Sequence, residues 1–251
     1  AEPAAHGHVQ VTVVEREDRI LARVASAEFS QLIHQQHARR GTDILTGTDV
    51  VGFVGDRHDV VRAVQLSDGR ELECDAALIG VGAIPRDELA RDCGIDCDGG
   101  IFVDEFARTS DPSIFAIGDV TMRPLAGHPH RVRLESIPSA VEQAKQAAAA
   151  ITGAPAPKSE VAWFWSDQFD LQLKIAGLVR PTRPAIVRGD TDSGKFALFH
   201  LGADDHLAAV ETSNAAALFM AGKKLIGNNS LVDAAMLADA AVDVRQCVRP
   251  Q

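Results

Sequence analysis

Three short stretches of this sequence carry residue types whose spacing could do chemistry. Val9-Gln10-Val11-Thr12-Val13-Val14-Glu15 is apolar, β-branched and closed by an acid, as expected of a buried parallel strand. A carboxylate at such a strand end can accept hydrogen bonds from both hydroxyls of an adenosine ribose; the plainer use is an ordinary solvated strand end. In dinucleotide folds that acid stands about 20 residues after a GxGxxG turn. Here fourteen residues precede Glu15, with Gly7 the one glycine among them, and no GxGxxG occurs anywhere in the sequence. In Ile117-Gly118-Asp119-Val120 a carboxylate follows a glycine turn, where it can bind a polyol hydroxyl while the next backbone amides face a pyrophosphate. An aspartate capping a helix is the simpler reading. Trp163-Phe164-Trp165-Ser166-Asp167-Gln168-Phe169 gathers four of the twelve aromatic residues into seven positions. Clustered rings commonly serve core or interface, and a planar cofactor also wants such a wall.

Other chemistries find no support. His6/His8 and His128/His130 are short pairs without a third ligand, so no metal site is expected. No GxSxG nucleophile turn occurs. Cys74, Cys93, Cys97 and Cys247 form no CxxC pair and read as reduced bystanders, although Cys93 and Cys97 are close enough in sequence to pair. A formal net charge of −10 speaks against general nucleic-acid binding, and Arg39-Arg40 and Lys223-Lys224 read as solvated faces. No stretch reaches the roughly 18 to 20 apolar residues of a membrane-spanning helix. The start Ala1-Glu2-Pro3-Ala4-Ala5-His6 lacks the form of a signal peptide, so a cytoplasmic location is expected.

The elements that must position these residues follow from periodicity and punctuation. A helix is predicted over Ala27 to Arg40, with Phe29, Leu32 and Ile33 on one face and Gly41 as its stop. Val50–Val54 and Val60–Leu66 flank a polar loop, and Ser67-Asp68-Gly69-Arg70 turns the chain into Glu71–Cys74, a hairpin pattern. Ala76-Ala77-Leu78-Ile79-Gly80-Val81-Gly82 and Ile114-Phe115-Ala116-Ile117-Gly118-Asp119 both read as buried strands running into a glycine turn, at what would be the ligand edge of an open α/β sheet. Ser139 to Ile151 is an alanine-rich helix after Pro138, ended by Thr152-Gly153, and Ala154-Pro155-Ala156-Pro157 marks a linker. Beyond it, Lys174–Val179, Ala185–Arg188, Lys195–Leu201 and Leu207–Thr212 predict antiparallel strands, and Ala215–Gly222 a helix. The fold class is α/β, the remnant of doubly wound nucleotide-binding domains followed by a smaller α+β carboxy-terminal domain.

Taken in order, Val11–Glu15 with Leu21-Ala22-Arg23-Val24, Leu78–Pro85, Gly100–Asp104 running through Arg108-Thr109-Ser110, Ile114–Asp119, Arg133-Leu134-Glu135-Ser136 and Trp163–Gln168 resemble the FAD-dependent NADH:ferredoxin reductases that serve Rieske oxygenases and bacterial P450 systems. The resemblance runs from about Val9 to Arg245 and implies the carboxy-terminal part of such an enzyme. Residues 1–103 would be a partial NAD-binding domain, 104–153 the second segment of the FAD-binding domain, and 157–251 the carboxy-terminal reductase domain. It implies a three-domain flavoprotein in which NADH reduces FAD and single electrons pass to a [2Fe-2S] ferredoxin, the cofactor supplying the chemistry and the protein the alignment. By position, Glu15 would hold the NADH ribose, Arg23 would lie by the same adenosine end, and Gly82 would let the nucleotide approach the backbone. Asp119 would bind the FAD ribitol, Ile137 would offer its amide to the isoalloxazine, and Glu135 would face the nicotinamide side. Trp165 would form the aromatic wall of the flavin and a route to the ferredoxin, with Trp163 as its rival. The last domain could also pack against a partner or a second copy, giving a homo-oligomer. Two other readings stay open: a catalytically silent binding module, and a related FAD/NAD oxidoreductase with another acceptor. The sequence departs from the family pattern at Pro138-Ser139, where a Gln-Asn pair is expected; proline there removes a backbone donor. A doubly wound domain without its first strand and helix should also be less stable than the last domain.

Overall fold

A computed structural model of the chain describes residues 9–126, 128–180 and 182–249; the His6/His8 pair lies outside them. Along the chain the elements are β1 (Val11–Val14), α1 (Ala27–Arg39), β2 (Thr42–Leu45), β3 (Val50–Gly55), β4 (Val61–Leu66), β5 (Glu71–Glu73), α2 (Glu88–Asp92), β6 (Ile101–Phe102), β7 (Thr121–Met122) and α3 (Ile137–Thr152). They continue with β8 (Trp163–Gln168), β9 (Leu171–Gly177), β10 (Ile186–Asp190), β11 (Lys195–Leu201), β12 (Leu207–Ser213), α4 (Ala216–Gly227) and α5 (Ala234–Ala238). Two compact units result. One joins the chain up to Val81 with the chain from Trp165 onward, and the other is Gly82–Phe164.

In the first unit β1 and β2 pair in parallel through the crossover helix α1. The polar loop and the Ser67–Arg70 turn fold β3, β4 and β5 into an antiparallel meander. The carboxy-terminal sheet is antiparallel, in the order β10-β11-β12-β9-β8. Its register puts Leu198 opposite Glu211 and Phe196 opposite Ser213, and side chains directly opposite share a face. That face meets α1, since the Phe29 and Phe196 rings lie 5.8 Å apart. The other face meets α4, where a Cβ on Gly222 would come within 2.8 Å of Val210 Cγ1. Covering on both sides explains why β11 is buried without a break from Phe196 to Leu201, and apolar there at every position but His200, rather than alternating. Phe29 and Ile33 of α1 are fully buried, each contributing about 1.5–3 kcal/mol.

Helix α1 is thus fastened to the carboxy-terminal domain. The expectation of a weak amino-terminal part therefore needs correcting for this helix. Its cap residue Ser26 bonds Glu211, Gln36 donates to the carbonyls of Thr191 and Asp192, and Arg39 and Arg40 pair with Asp192 and Asp170.

Gly177 closes β9 with φ +80°, and a Cβ there would stand 2.2 Å from the Ala208 carbonyl oxygen. Backbone cannot give way as a flexible side chain can. Gly177→Ala is expected to destabilise the chain by about 1–3 kcal/mol, read as a lower urea midpoint with an unchanged slope; an unshifted midpoint would contradict this packing.

In the second unit β6 and β7 form a short parallel pair. Helix α3 begins at the Ser136 cap, carries Pro138 in its first turn, where a missing amide costs nothing, and stops at Gly153 with φ 70°. Its buried stripe is mostly polar, Ser139, Glu142, Gln143 and Gln146 preceding Ala147 and Ala149.

Two predicted strands do not form. Ala76–Gly82 is without regular structure, with Leu78 101%, Ile79 63% and Val81 89% exposed. Its composition suits a buried strand, but among the described residues no strand runs beside it to complete a ladder. Ile114–Asp119 is reduced to one antiparallel bridge, Arg108 to Phe115, before the chain turns at Gly118. The β1 strand is parallel as expected but only partly covered, with Val13 36% exposed.

Candidate functional site

In the first unit, Glu15 follows β1 directly and its amide donates to the Leu45 carbonyl, extending the parallel pairing by one bond. One carboxylate oxygen accepts the Glu17 amide at 2.9 Å, which holds the side chain at the strand end. Arg23 is exposed on the loop between β1 and α1. That loop is shaped by Arg19, whose guanidinium donates to the carbonyls of Ala22 and Ala25 and to Ser30 Oγ at 2.7–3.0 Å. Sequence reasoning missed Arg19, because one arginine in a charged run carries no signal of what it will clamp.

Trp165 lies in β8, 40% exposed, at one edge of the five-stranded sheet. Alternation along the strand puts Trp163 and Trp165 on one face and Gln168 on the other. On that opposite face Gln168 Oε1 bonds His37 Nε2 at 2.7 Å. The next residue, Phe169, has φ 55° and is flanked by the His37 ring at 5.1 Å and the Arg40 guanidinium at 5.5 Å. Burial lowers the His37 pKa below its ordinary value, which favours the neutral ring. The hairpin carrying the tryptophans is therefore pinned to the carboxy-terminal end of α1.

In the second unit the structure brings the turn of Asp119 and the start of α3 together. Gly118 adopts φ +80°, and Asp119 sits in a single 3-10 turn, Gly118–Val120, with its side chain exposed. A Cβ on Gly118 would contact Ala140 Cβ of α3 at 3.9 Å. Ile137 is the first residue of α3, so its amide has no partner inside the helix and faces outward with the positive end of the helix dipole. Glu135 precedes it by two residues and pairs with Arg133 at 2.5 Å. An exposed carboxylate, an unclaimed helix-start amide and a charged pair at one place suit a polyol and a polar ring edge, which is the chemistry a flavin presents. Gly82 has φ +89° with open space where a Cβ would stand; glycine is needed there for its backbone conformation. Gln143, missed by sequence reasoning, holds the Asp119 turn from beneath.

Among the described residues no group of three or more His, Cys, Asp or Glu could hold a metal ion, and no helix is long and apolar enough to cross a membrane.

Residues 1–144 match the family described as pyridine nucleotide-disulphide oxidoreductase, and residues 163–248 match Reductase C-terminal. Among individual proteins, the chain is 46% identical over 233 residues to the "Probable ferredoxin reductase CtmF" of Castellaniella defragrans, covering 92% of this chain and 56% of that protein. It is 36% identical over 250 residues to "Putidaredoxin reductase CamA" of Pseudomonas putida, covering 99% and 59%. In three dimensions it is similar to the reductase in the covalent putidaredoxin reductase–putidaredoxin complex, with a TM-score of 0.91 at 35% identity over 98% of this chain and 60% of that one. The chain thus spans less than two thirds of the length of these relatives.

Proposed function

Because the chain belongs to the pyridine nucleotide-disulphide oxidoreductase family, we propose that it works in an FAD-dependent reductase that passes electrons from NADH to a [2Fe-2S] ferredoxin. The observation that carries this reading is the likeness, at TM-score 0.91 and 35% identity, to a putidaredoxin reductase captured in covalent complex with putidaredoxin. A bound flavin would supply the conversion of one two-electron delivery into two single-electron steps. The chain's own residues would bind and orient.

Asp119 would accept hydrogen bonds from the ribitol hydroxyls, since an ionised carboxylate on a fixed turn is a strong acceptor. The Ile137 amide would donate to the polar edge of the isoalloxazine, helped by the helix dipole. Glu135, held by Arg133, would bound the nicotinamide side, and Trp165 would wall the ring and face the acceptor. Glu15 would take the ribose hydroxyls of NADH with its free oxygen, Arg23 would flank the same end, and the Gly82 turn would let the backbone lie close to the nucleotide. We assign the activity to the cytoplasm, where the free thiols Cys74, Cys93, Cys97 and Cys247 stay reduced.

The full-length protein, incubated with FAD and passed through gel filtration, is expected to retain the flavin absorption bands, to lose them on adding NADH, and to reduce a supplied [2Fe-2S] ferredoxin. A colourless protein would point instead to a silent binding module. A flavoprotein bleached by NADH yet inert toward every ferredoxin would point to another acceptor.

The Glu15 carboxylate would also repel a 2′-phosphate. We expect kcat/KM to favour NADH over NADPH by at least about 10-fold, a gap of about 1.4 kcal/mol, and Glu15→Gln to narrow it. Equal use of both nucleotides by the unaltered protein would remove Glu15 from the site.

A further inference from the structure

We propose that Gln143 is a positioning residue for flavin binding, acting entirely through the turn that presents Asp119. The inference rests on the reading of Asp119 as a ribitol ligand.

Its basis is a closed ring of hydrogen bonds beneath that turn. Gln143 is 1% exposed and Thr121 2%. The side-chain oxygen of Gln143 accepts the Gly118 amide at 2.8 Å. Its side-chain nitrogen donates to Thr121 Oγ1 at 2.8 Å, and that hydroxyl donates to the Gly118 carbonyl, also at 2.8 Å. Both peptide groups flanking the Gly118 Cα are thereby anchored. The amide before it is held by Gln143, and the carbonyl after it by Thr121.

Fixing those two groups fixes φ and ψ of Gly118, at a left-handed φ of +80° that glycine adopts freely. The direction in which Asp119 leaves the turn is set by the same two angles. Only a primary amide offers a donor and an acceptor side by side in this way. A leucine of similar size would fill the space and leave the Gly118 amide and the Thr121 hydroxyl without their partner. The carboxylate would then sample several directions, and binding would have to select one of them.

The test is a double-mutant cycle on the FAD dissociation constant of the full-length protein, measured by quenching of flavin fluorescence on titration. Asp119→Ala is expected to weaken FAD by about 10- to 100-fold, the loss of hydrogen bonds to a charged acceptor. Gln143→Leu alone should weaken it by about 10-fold, the scale of restoring freedom to one backbone residue. In the Asp119→Ala background Gln143→Leu should add less than about 2-fold, because effects passing through one group do not add. A merely structural loss would multiply with Asp119→Ala. Multiplying effects, or a Gln143→Leu protein that binds FAD as tightly as the unaltered one, would overturn the inference. Should Gln143→Leu fail to fold, Thr121→Val opens the same ring from its other side and must show the same coupling. If Asp119→Ala leaves FAD affinity unchanged, the ribitol reading itself has failed and the inference falls with it; that outcome is distinct from Asp119 sensitivity without Gln143 sensitivity.

Discussion

Replacing Glu211 with leucine is expected to lower the stability of the chain by about 3–5 kcal/mol, because three buried donors lose their acceptor at about 1–3 kcal/mol each. Glu211 is fully buried in the middle of β12. One carboxylate oxygen accepts the Ser26 amide at 2.8 Å, and the other accepts the Ser26 hydroxyl at 2.5 Å and His200 Nε2 at 2.6 Å. Leucine would match the volume and satisfy none of these donors. The His200 ring is itself 3% exposed, and among the described residues its Nδ1 has no hydrogen-bond partner, so the imidazole would lose the polar contact that Glu211 gives it. Ser26 caps α1, and losing the group that orients its amide and hydroxyl should loosen the helix from the sheet. Urea unfolding measures the loss. Limited proteolysis should show new cuts near residues 20–30 before the carboxy-terminal sheet is attacked. Glu211→Gln keeps an acceptor for Ser26 and should cost less than half as much. An unfolding midpoint that does not move in Glu211→Leu would mean that this cluster is not what ties α1 down.

The same cluster shows where sequence reasoning stops. Helix α1 was legible because Phe29, Leu32 and Ile33 repeat at helical spacing before Gly41. The β3–β5 meander was legible from its turn, and β11 and β12 from their β-branched and aromatic runs. All of these signals are local. Ser26 and Glu211 stand 185 residues apart, and nothing near either one announces the other; a glutamate inside a predicted strand reads as a solvent-facing position. The opposite error arose at Ala76–Gly82, whose apolar run gives the signature of a buried strand. A strand is made by its neighbours, and composition cannot say whether they are there. The candidate site divides in the same way. Glu15, Gly82 and Asp119 stood out through the run-then-glycine or run-then-acid pattern that a nucleotide edge requires, and Trp165 through crowding of rings. Gln143 lay inside an alanine-rich helix where a polar residue looks like the solvent side. The polar character of the buried stripe on α3 hid which side was inside.

That stripe leads to the second large effect. Arg123→Met is expected to destabilise the chain by about 3–5 kcal/mol, and the double variant Arg123→Met/Glu142→Leu by clearly less. Arg123 NH1 lies 2.8 Å from Glu142 Oε2, with side chains 5% and 10% exposed. The other carboxylate oxygen of Glu142 accepts the Glu160 amide at 2.8 Å and Ser159 Oγ at 3.2 Å. A carboxylate can tolerate burial there only while a cation offsets its lost hydration. Removing the arginine alone leaves a buried charge with neutral donors only. Removing both charges together leaves the Glu160 amide wanting an acceptor, a smaller cost than an isolated ion. A buried pair thus gives a large single-variant loss without being a large net stabiliser, and comparing the two variants by urea unfolding separates these quantities. If the double variant is as unstable as the sum of the two single ones, the pair is not coupled and the geometry has been misread. Glu142 adjoins Gln143 on the buried stripe of α3, so Arg123→Met should also weaken FAD binding while the double variant recovers it in step with its stability. That recovery would distinguish a shift of the whole helix from the local disorder of the Asp119 turn that Gln143→Leu produces.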